Sequence, residues 1–265
     1  MKLLNLGCGV NFHPAWTNVD FVKTGEGVIK ADLRRGIPFA SASIDVVYHS
    51  HVLEHFEKSD AILFLKECYR VLKPGGILRI VVPDLERTVR EYLRILDSAV
   101  KEESSAGQKY SWIVVELIDQ LARNQSGGLM ASYWKSMNKE EENYVKERVG
   151  EEPFRNPPNL TKNRSISNYL FSLLRKCKNL ALKLLLGREY HSLRVGRFRL
   201  NGEPHLWMYD RFSLPIAVAS AGFAKPRIAD AFRSSIPNFH EYGLDVDPEG
   251  NIRKPDSLFL EAIKS

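Results

Sequence analysis

Cysteine is scarce in this chain, and the three residues present cannot build a framework. Cys8, Cys68 and Cys177 are far apart, odd in number and without a Cys-x-x-Cys pairing. That excludes a disulfide scaffold and a thiolate zinc site, and fits a reducing compartment. Long apolar runs are missing too: nothing approaches the roughly 20 residues that cross a bilayer. The N-terminus has one lysine and a four-residue apolar run rather than a signal sequence, so a cytoplasmic location is expected. The chain lacks basic residues interleaved with aromatic platforms and lacks a recognisable nucleic-acid motif, so no nucleic-acid partner is expected. Repeats and low-complexity tracts are absent as well.

What remains is an ordinary globular composition. The 265 residues are 44% hydrophobic and 26% charged, enough for one large domain or a domain with a sizeable insertion. The net charge of +6 is unevenly placed. Residues 161–200 hold ten Lys/Arg and one acid, Glu189, while the rest of the chain is slightly acidic.

The first nine residues set the pattern. Leu3 to Leu6 is an apolar run that breaks into Gly7-Cys8-Gly9, which reads as a buried parallel strand followed by a tight turn. Glycine there lets the backbone approach a ligand closely. Further strands are predicted at 17–21, 28–33, 44–51 and 77–82, and helices at 59–72 and 85–100. Ser59 or Asp60 is expected to cap the first helix, with Ile62, Leu65, Cys68 (or Tyr69) and Leu72 on its buried face. The alternation returns with a helix from 210 to 222, a strand over 226–231 and a last strand over 257–263. This predicts an α/β fold: a doubly wound, mostly parallel seven-stranded Rossmann-like sheet, formed by residues 1–100 and 205–265. A mostly helical insertion follows strand 5 over residues 101–204.

Three carboxylates, Asp20, Asp32 and Asp84, end or closely follow the second, third and fifth strands. An acid after the second strand can accept both hydroxyls of a ribose, and one after the third can accept from an exocyclic amine. The phosphate half of a dinucleotide site is missing. Phe12 stands where G-x-G-x-x-G needs its third glycine, and no Gly-Lys-Ser/Thr is present. The pattern therefore describes a nucleoside ligand without phosphates.

At this point the chain resembles a class I S-adenosylmethionine-dependent methyltransferase of the type 11-like group. The resemblance is carried by Leu-Asn-Leu-Gly-Cys-Gly (4–9), Ala-Asp-Leu (31–33), the stretch Ile44 to His55, Glu-Cys-Tyr-Arg-Val-Leu-Lys-Pro-Gly-Gly (67–76) and Leu-Arg-Ile-Val-Val-Pro-Asp (78–84). It covers residues 1 to about 90 well and 204–265 more loosely. Within the superfamily the chain is similar to predicted methyltransferases of glycan and polysaccharide biosynthesis. The resemblance implies that Asn5, Gly7, Cys8 and Gly9 pass under the methionine end of the cofactor. It implies that Asp20, beside Phe21, holds the ribose hydroxyls, that Asp32 and Leu33 meet the adenine, and that His49, Ser50 and His51 face the sulfonium. Asn5 stands where the family usually has Asp, so a charged contact near the methionine ammonium is lost. The family's usual helix before the first strand is also missing from this sequence.

Candidate catalytic residues come from two clusters. His51, Glu54 and His55 converge if a helical turn begins near Val52, and histidine suits the base that methyl transfer to a hydroxyl requires. In the competing reading, Glu54 and His55 brace the helix that follows. His51-x-x-Glu54-His55 also resembles the Glu-x-x-Glu-His metal site of ubiquinone-pathway O-methyltransferases and small-RNA 2′-O-methyltransferases. A divalent metal is therefore a second, less favoured expectation. His205, in Glu203-Pro204-His205-Leu206-Trp207-Met208-Tyr209, is the alternative base. Tyr209 is expected to shape the acceptor pocket, and Trp207 to lie in the core. Glu116, Asp119, Gln120 and Arg123 either bind hydroxyls of a sugar-like acceptor or form a solvated helix face.

The expected reaction is O-methylation of a sugar, glycan or other small hydroxylated acceptor. N- or C-methylation and a non-catalytic cofactor-binding scaffold are the alternatives. Residues 166–187 combine an apolar face with Arg175, Lys176, Lys178 and Lys183. They read as a lid helix or a homodimer contact, or alternatively as a peripheral membrane anchor.

Overall fold

The computed structural model describes residues 1–151, 154 and 177–265. Its centre is a seven-stranded sheet of order β3-β2-β1-β4-β5-β7-β6. The strands are β1 Leu3–Leu6, β2 Thr17–Asp20, β3 Val28–Lys30, β4 Ile44–Ser50, β5 Leu72–Pro83, β6 Ala224–Ala229 and β7 Ser257–Ile263. Strands β1 to β5 are parallel to one another, and β7 is antiparallel to both β5 and β6. The sheet is thus mixed. The cause is local: no α-helix separates β6 from β7, and antiparallel neighbours need no crossover.

Helix α1 (Lys58–Val71) buries Ala61, Phe64, Leu65, Cys68 and Val71. Phe64 therefore takes the place expected of Ile62. Neither Ser59 nor Asp60 caps this helix, because it begins one residue earlier, after Glu57, with no side-chain cap. The Lys73-Pro74-Gly75-Gly76 stretch stops the helix as expected but joins β5, where the pairing with β4 shifts register between Ile44 and Val46. Helix α2 (Leu85–Val100) is capped by the Asp84 carboxylate, which accepts from the Arg87 N–H. Helices α3 (Ala106–Ala122), α4 (Gly128–Ser136) and α5 (Lys139–Val149) follow, then a helical stretch over 177–186 and α6 (Glu189–Arg199). Helix α7 (Ser213–Ser220) precedes β6. Among the described residues no helix is long and apolar enough to cross a membrane.

Alternation along the strands sorts two cores. Leu4, Leu6, Val47, Leu78, Ile80 and Leu260 pack with α1 and α7. Leu3, Val46, Tyr48, Val81 and Phe259 point the other way and meet Trp16, Ile236, Phe239 and Leu244. This second face is packed by the segment between β6 and β7, which contributes only a short turn over Phe239–Tyr242. The expectation of a doubly wound sheet is corrected at this point.

The same face carries a buried ion network within a strand that otherwise reads as uniformly apolar. Arg79 is fully buried; its guanidinium lies 2.6 Å from Asp245 and 2.8 Å from Glu261, both almost fully buried. It also donates to the carbonyls of Asp230 and Arg233 and stacks over Phe239 at 4.7 Å. Burial opposes the charge on Arg79, but the two carboxylates outweigh it and hold the guanidinium more firmly protonated than usual.

A third core joins α2, α3, α4 and α5 through Ile95, Trp112, Ile113, Met130, Tyr144 and Val145. Two of the polar residues on α3 belong to this layer. Glu116 is buried against Arg148 and accepts from the Trp112 indole at 2.8 Å. Asp119 pairs with Arg123 at 2.6 Å and accepts from the Leu129 N–H at 2.7 Å. A Cβ on Gly128 would sit 2.4 Å from the Asp119 carboxylate, so only glycine admits this contact. Neither acid lies on a solvated face, because each closes an internal ion pair. Residues 166–176 of the proposed amphipathic helix lie outside the described residues. Within 177–187, Leu180, Leu184 and Leu185 are exposed.

Candidate active site

Two cavities open at the carboxyl ends of β1, β2 and β4 and meet at shared walls. The smaller, of about 250 Å³, is lined by Gly7, Asp20, Phe21, Asp32, Leu33, His51, Val52 and His55, among others. The larger, of about 720 Å³, is lined by Asn5, Gly7, Cys8, Gly9, Ser50, His51, Gln120, Arg123, Glu203, Arg253 and Lys254, among others. Gly7 and His51 line both.

The turn after β1 is built for close approach. Gly7 has φ +63°, and a Cβ there would stand 2.3 Å from Val52 Cγ2. Gly7→Ala is therefore expected to lower the unfolding free energy by about 1–3 kcal/mol, read from urea unfolding curves. Asp20 fixes the next residue of the turn: Oδ2 accepts from the Gly9 N–H at 2.9 Å, and Oδ1 from the Val22 N–H at 2.9 Å. Asn5 is buried and donates to Asn18 Oδ1 at 3.2 Å, a neutral pair that suits a position without charge. Burial, reinforced by the Asp20 charge, pushes the Cys8 thiol up to about 11, so it is not a nucleophile.

Asp32 lines the smaller cavity but is already engaged. Arg34 donates to it from Nε at 2.9 Å and Nη2 at 3.1 Å, which holds its carboxyl below the usual range. Arg34 also reaches the Leu200 carbonyl at 2.9 Å and lies 5.5 Å over the Phe21 ring. An amine reaching Asp32 must share it with this guanidinium.

The histidines separate by environment. His49 is a correction: it lies within β4, on the face towards α1, fully buried with its ring edge against Phe64. It lines neither cavity, and burial drives its pKa down to about 3. Ser50, the last residue of β4, and His51, just beyond it, reach the larger cavity. His51 has φ +55°, its Nε2 lies 2.8 Å from Ser257 Oγ, and its Nδ1 faces Glu54 at 3.5 Å.

Glu54 and His55 sit on a short turn over Leu53–His55 and converge with His205 from a distant segment. The Glu54 carboxylate is fully buried with no hydrogen-bond partner for either oxygen, and burial pushes it up to about 8. His205 Nε2 lies 3.9 Å from Glu54 Oε1, and the His55 and His205 rings meet edge to face at 4.9 Å. Burial holds His51, His55 and His205 below the ordinary imidazole range, so all three are neutral near pH 7. Backbone bonds lace the two segments together. Leu206 and Trp207 donate to the Glu54 carbonyl, and the His205 N–H donates to the Gln120 carbonyl.

The aromatic pair in this segment is reversed from expectation. Tyr209 is 2% exposed and bridges to Asp84, whereas Trp207 is 38% exposed with the Lys58 ammonium 4.9 Å from its ring. Gln120 and Arg123 do reach the larger cavity. The sequence reading missed Arg253 and Lys254, which lie in a loop before β7 and carry no motif.

Residues 8–80 match the family described as a methyltransferase domain. Over 59 residues the chain is 39% identical to a probable S-adenosylmethionine-dependent methyltransferase of Mycolicibacterium smegmatis, covering 21% of this chain and 22% of that protein. The match thus spans about a fifth of the length of that curated relative. Among solved structures, the chain overlays a SAM-dependent methyltransferase of Thermotoga maritima, described as a possible histamine N-methyltransferase. The identity is 13% and the TM-score 0.40, over 100% of this chain and 82% of that one. A SAM-dependent methyltransferase of Archaeoglobus fulgidus overlays at 11% identity and TM-score 0.40, over 99% and 86%. Within residues 8–80 the chain is thus similar to methyltransferase domains.

Proposed function

We propose that the protein transfers a methyl group from S-adenosylmethionine to a hydroxyl of a small or sugar-like acceptor. The observation that carries this reading is the junction of two cavities at Gly7 and His51. One has the acids of a nucleoside site, and the other is roomy and polar. The residues fit the cofactor: Asp20 offers carboxylate lone pairs beside the Gly turn, Leu33 and Phe21 offer apolar walls, and Gly9 has no neighbouring atom within 4 Å of where a Cβ would stand. When bound, S-adenosylmethionine supplies a methyl group on a sulfonium that leaves as a neutral thioether.

His51 is the residue placed to take the acceptor's proton, because it is neutral and lines both cavities. His205 lines neither and is nearly inaccessible, so the role of base falls to His51. Gln120, Arg123 and Glu203 on the helical side would orient acceptor hydroxyls, with α3, α4 and α5 acting as a cap that excludes water. Calorimetric titration with S-adenosylmethionine and S-adenosylhomocysteine should show micromolar binding of both. Failure of both to bind the folded protein would overturn the reading. Methyl-labelled cofactor, incubated with free and glycosidic sugars, then tests the acceptor class.

A further inference from the structure

We propose that Asn201, on the strap Leu200-Asn201-Gly202-Glu203 that follows α6, reads the base of the cofactor. Its side-chain amide donates to a ring nitrogen of adenine while Asp32 accepts from the neighbouring amine. The ligand rests on the methyl-transfer reading, but the residue lies far outside the matched stretch 8–80. Asn201 and Gly202 line the smaller cavity together with Phe21, Asp32 and Leu33. One guanidinium brings the strap to the acid. Arg34 donates from Nη1 to the Leu200 carbonyl at 2.9 Å, and from Nε and Nη2 to Asp32 at 2.9 and 3.1 Å. Leu200 and Asp32 thus meet across a single side chain, and Asn201 follows directly.

The second observation is the orientation of the Asn201 amide. Its Oδ1 accepts from the Glu203 N–H at 2.8 Å. A backbone N–H can only donate, so the bonded atom is the amide oxygen and the donor Nδ2 is the other end. Nδ2 has no hydrogen-bond partner among the described residues. Gly202, with φ +88° and no atom within 4 Å of where a Cβ would stand, leaves room for a ligand beside it. Asp32 offers the complementary group. Of the roughly four lone-pair positions of a carboxylate, three are taken: Oδ1 accepts from the Arg34 N–H at 3.2 Å and from Nε, and Oδ2 from Nη2. One position on Oδ2 is left for an amine hydrogen. An acceptor and a donor on one cavity wall match adenine, whose amine is flanked by ring nitrogens with lone pairs.

The strap also joins this recognition to the acceptor side. Glu203 lines the larger cavity, accepts from the Gly127 N–H at 2.8 Å and pairs with Arg123 at 3.4 Å. The bond from the Glu203 N–H to Asn201 therefore links the base end of one cavity to the wall of the other. Asn201 has two separable jobs: Oδ1 holds the strap, and Nδ2 meets the base.

Calorimetry on the full-length protein should compare S-adenosylhomocysteine with its 1-deaza and 7-deaza analogues, each of which lacks one ring nitrogen beside the amine. Wild type is expected to lose about 5-fold in affinity for one of the two, the worth of a neutral hydrogen bond. In Asn201→Ala, S-adenosylhomocysteine itself should weaken by about 5-fold, and removing that nitrogen should then cost nothing further, because its partner is already gone. Asn201→Asp keeps an oxygen for the Glu203 N–H and removes only the donor, so the analogue's penalty should vanish there too, with the strap bond intact. That variant carries the test if the alanine form fails to fold. No penalty for either analogue in wild type, or the same penalties in wild type and a folded variant, overturns the proposal and leaves methyl transfer standing. A folded wild type that does not bind S-adenosylhomocysteine sinks both.

Discussion

Arg79→Met should lower the unfolding free energy by about 3–5 kcal/mol at neutral pH. The guanidinium is fully buried between Asp245 and Glu261, and methionine fills its volume without supplying a charge. Asp245 would then lie buried without its guanidinium, while Glu261 would keep as cation only the exposed Arg227, at 3.3 Å. Glu261 retains the Ser234 hydroxyl and the Ser235 N–H, and Asp245 retains the Tyr48 hydroxyl, so the loss is partial. The sign of the pH dependence follows. Without Arg79 the folded state favours the protonated carboxyls, so acid relieves the variant, and its deficit against wild type should grow as pH rises. Urea unfolding at pH 5 and pH 8 measures this. An equal deficit at both values would mean that packing over Phe239 and Phe259, rather than charge pairing, is what Arg79 contributes. Replacing all three members with apolar residues should recover part of the stability, because the desolvation cost of the ions disappears with them.

Asp20→Ala should weaken S-adenosylmethionine binding by about 100-fold, close to 3 kcal/mol, as two charge-assisted hydrogen bonds to ribose are lost. Part of that loss would act through the turn. The same carboxylate holds the Gly9 and Val22 N–H groups, so alanine also loosens the loop that passes under the ligand. Asp20→Asn separates the contributions. The amide keeps one acceptor and nearly the same shape, so its affinity should fall between wild type and alanine. Calorimetry on all three proteins, with thermal unfolding of each ligand-free form, reads both effects. Unchanged affinity in Asp20→Ala would place the ribose elsewhere and remove the nucleoside reading of the smaller cavity.

How much of this was legible in the sequence depends on how local each cause is. The strands β1 to β5, the Gly7-Cys8-Gly9 turn and the acids after β2 and β3 follow from short-range pattern: apolar runs, β-branched residues and glycine punctuation. Those features also carried the expectation of a nucleoside ligand without phosphates. Strand period alone would put His49 and His51 on one face; they part because β4 ends at Ser50 and His51 takes φ +55° just beyond it. Three things came only from the tertiary structure. Arg79 reads as an interruption in an apolar strand until Asp245 and Glu261, more than 160 residues away, are folded against it. Glu116 and Asp119 read as a solvated helix face until Arg148 and the N-terminus of α4 close over them. His205 joins Glu54 and His55 only because a segment about 150 residues later pairs with the Glu54 carbonyl. Spacing along a chain determines which residues share a helix face or a strand face. Which faces meet is determined by chain closure over long separations, and the partners of buried polar groups were decided there.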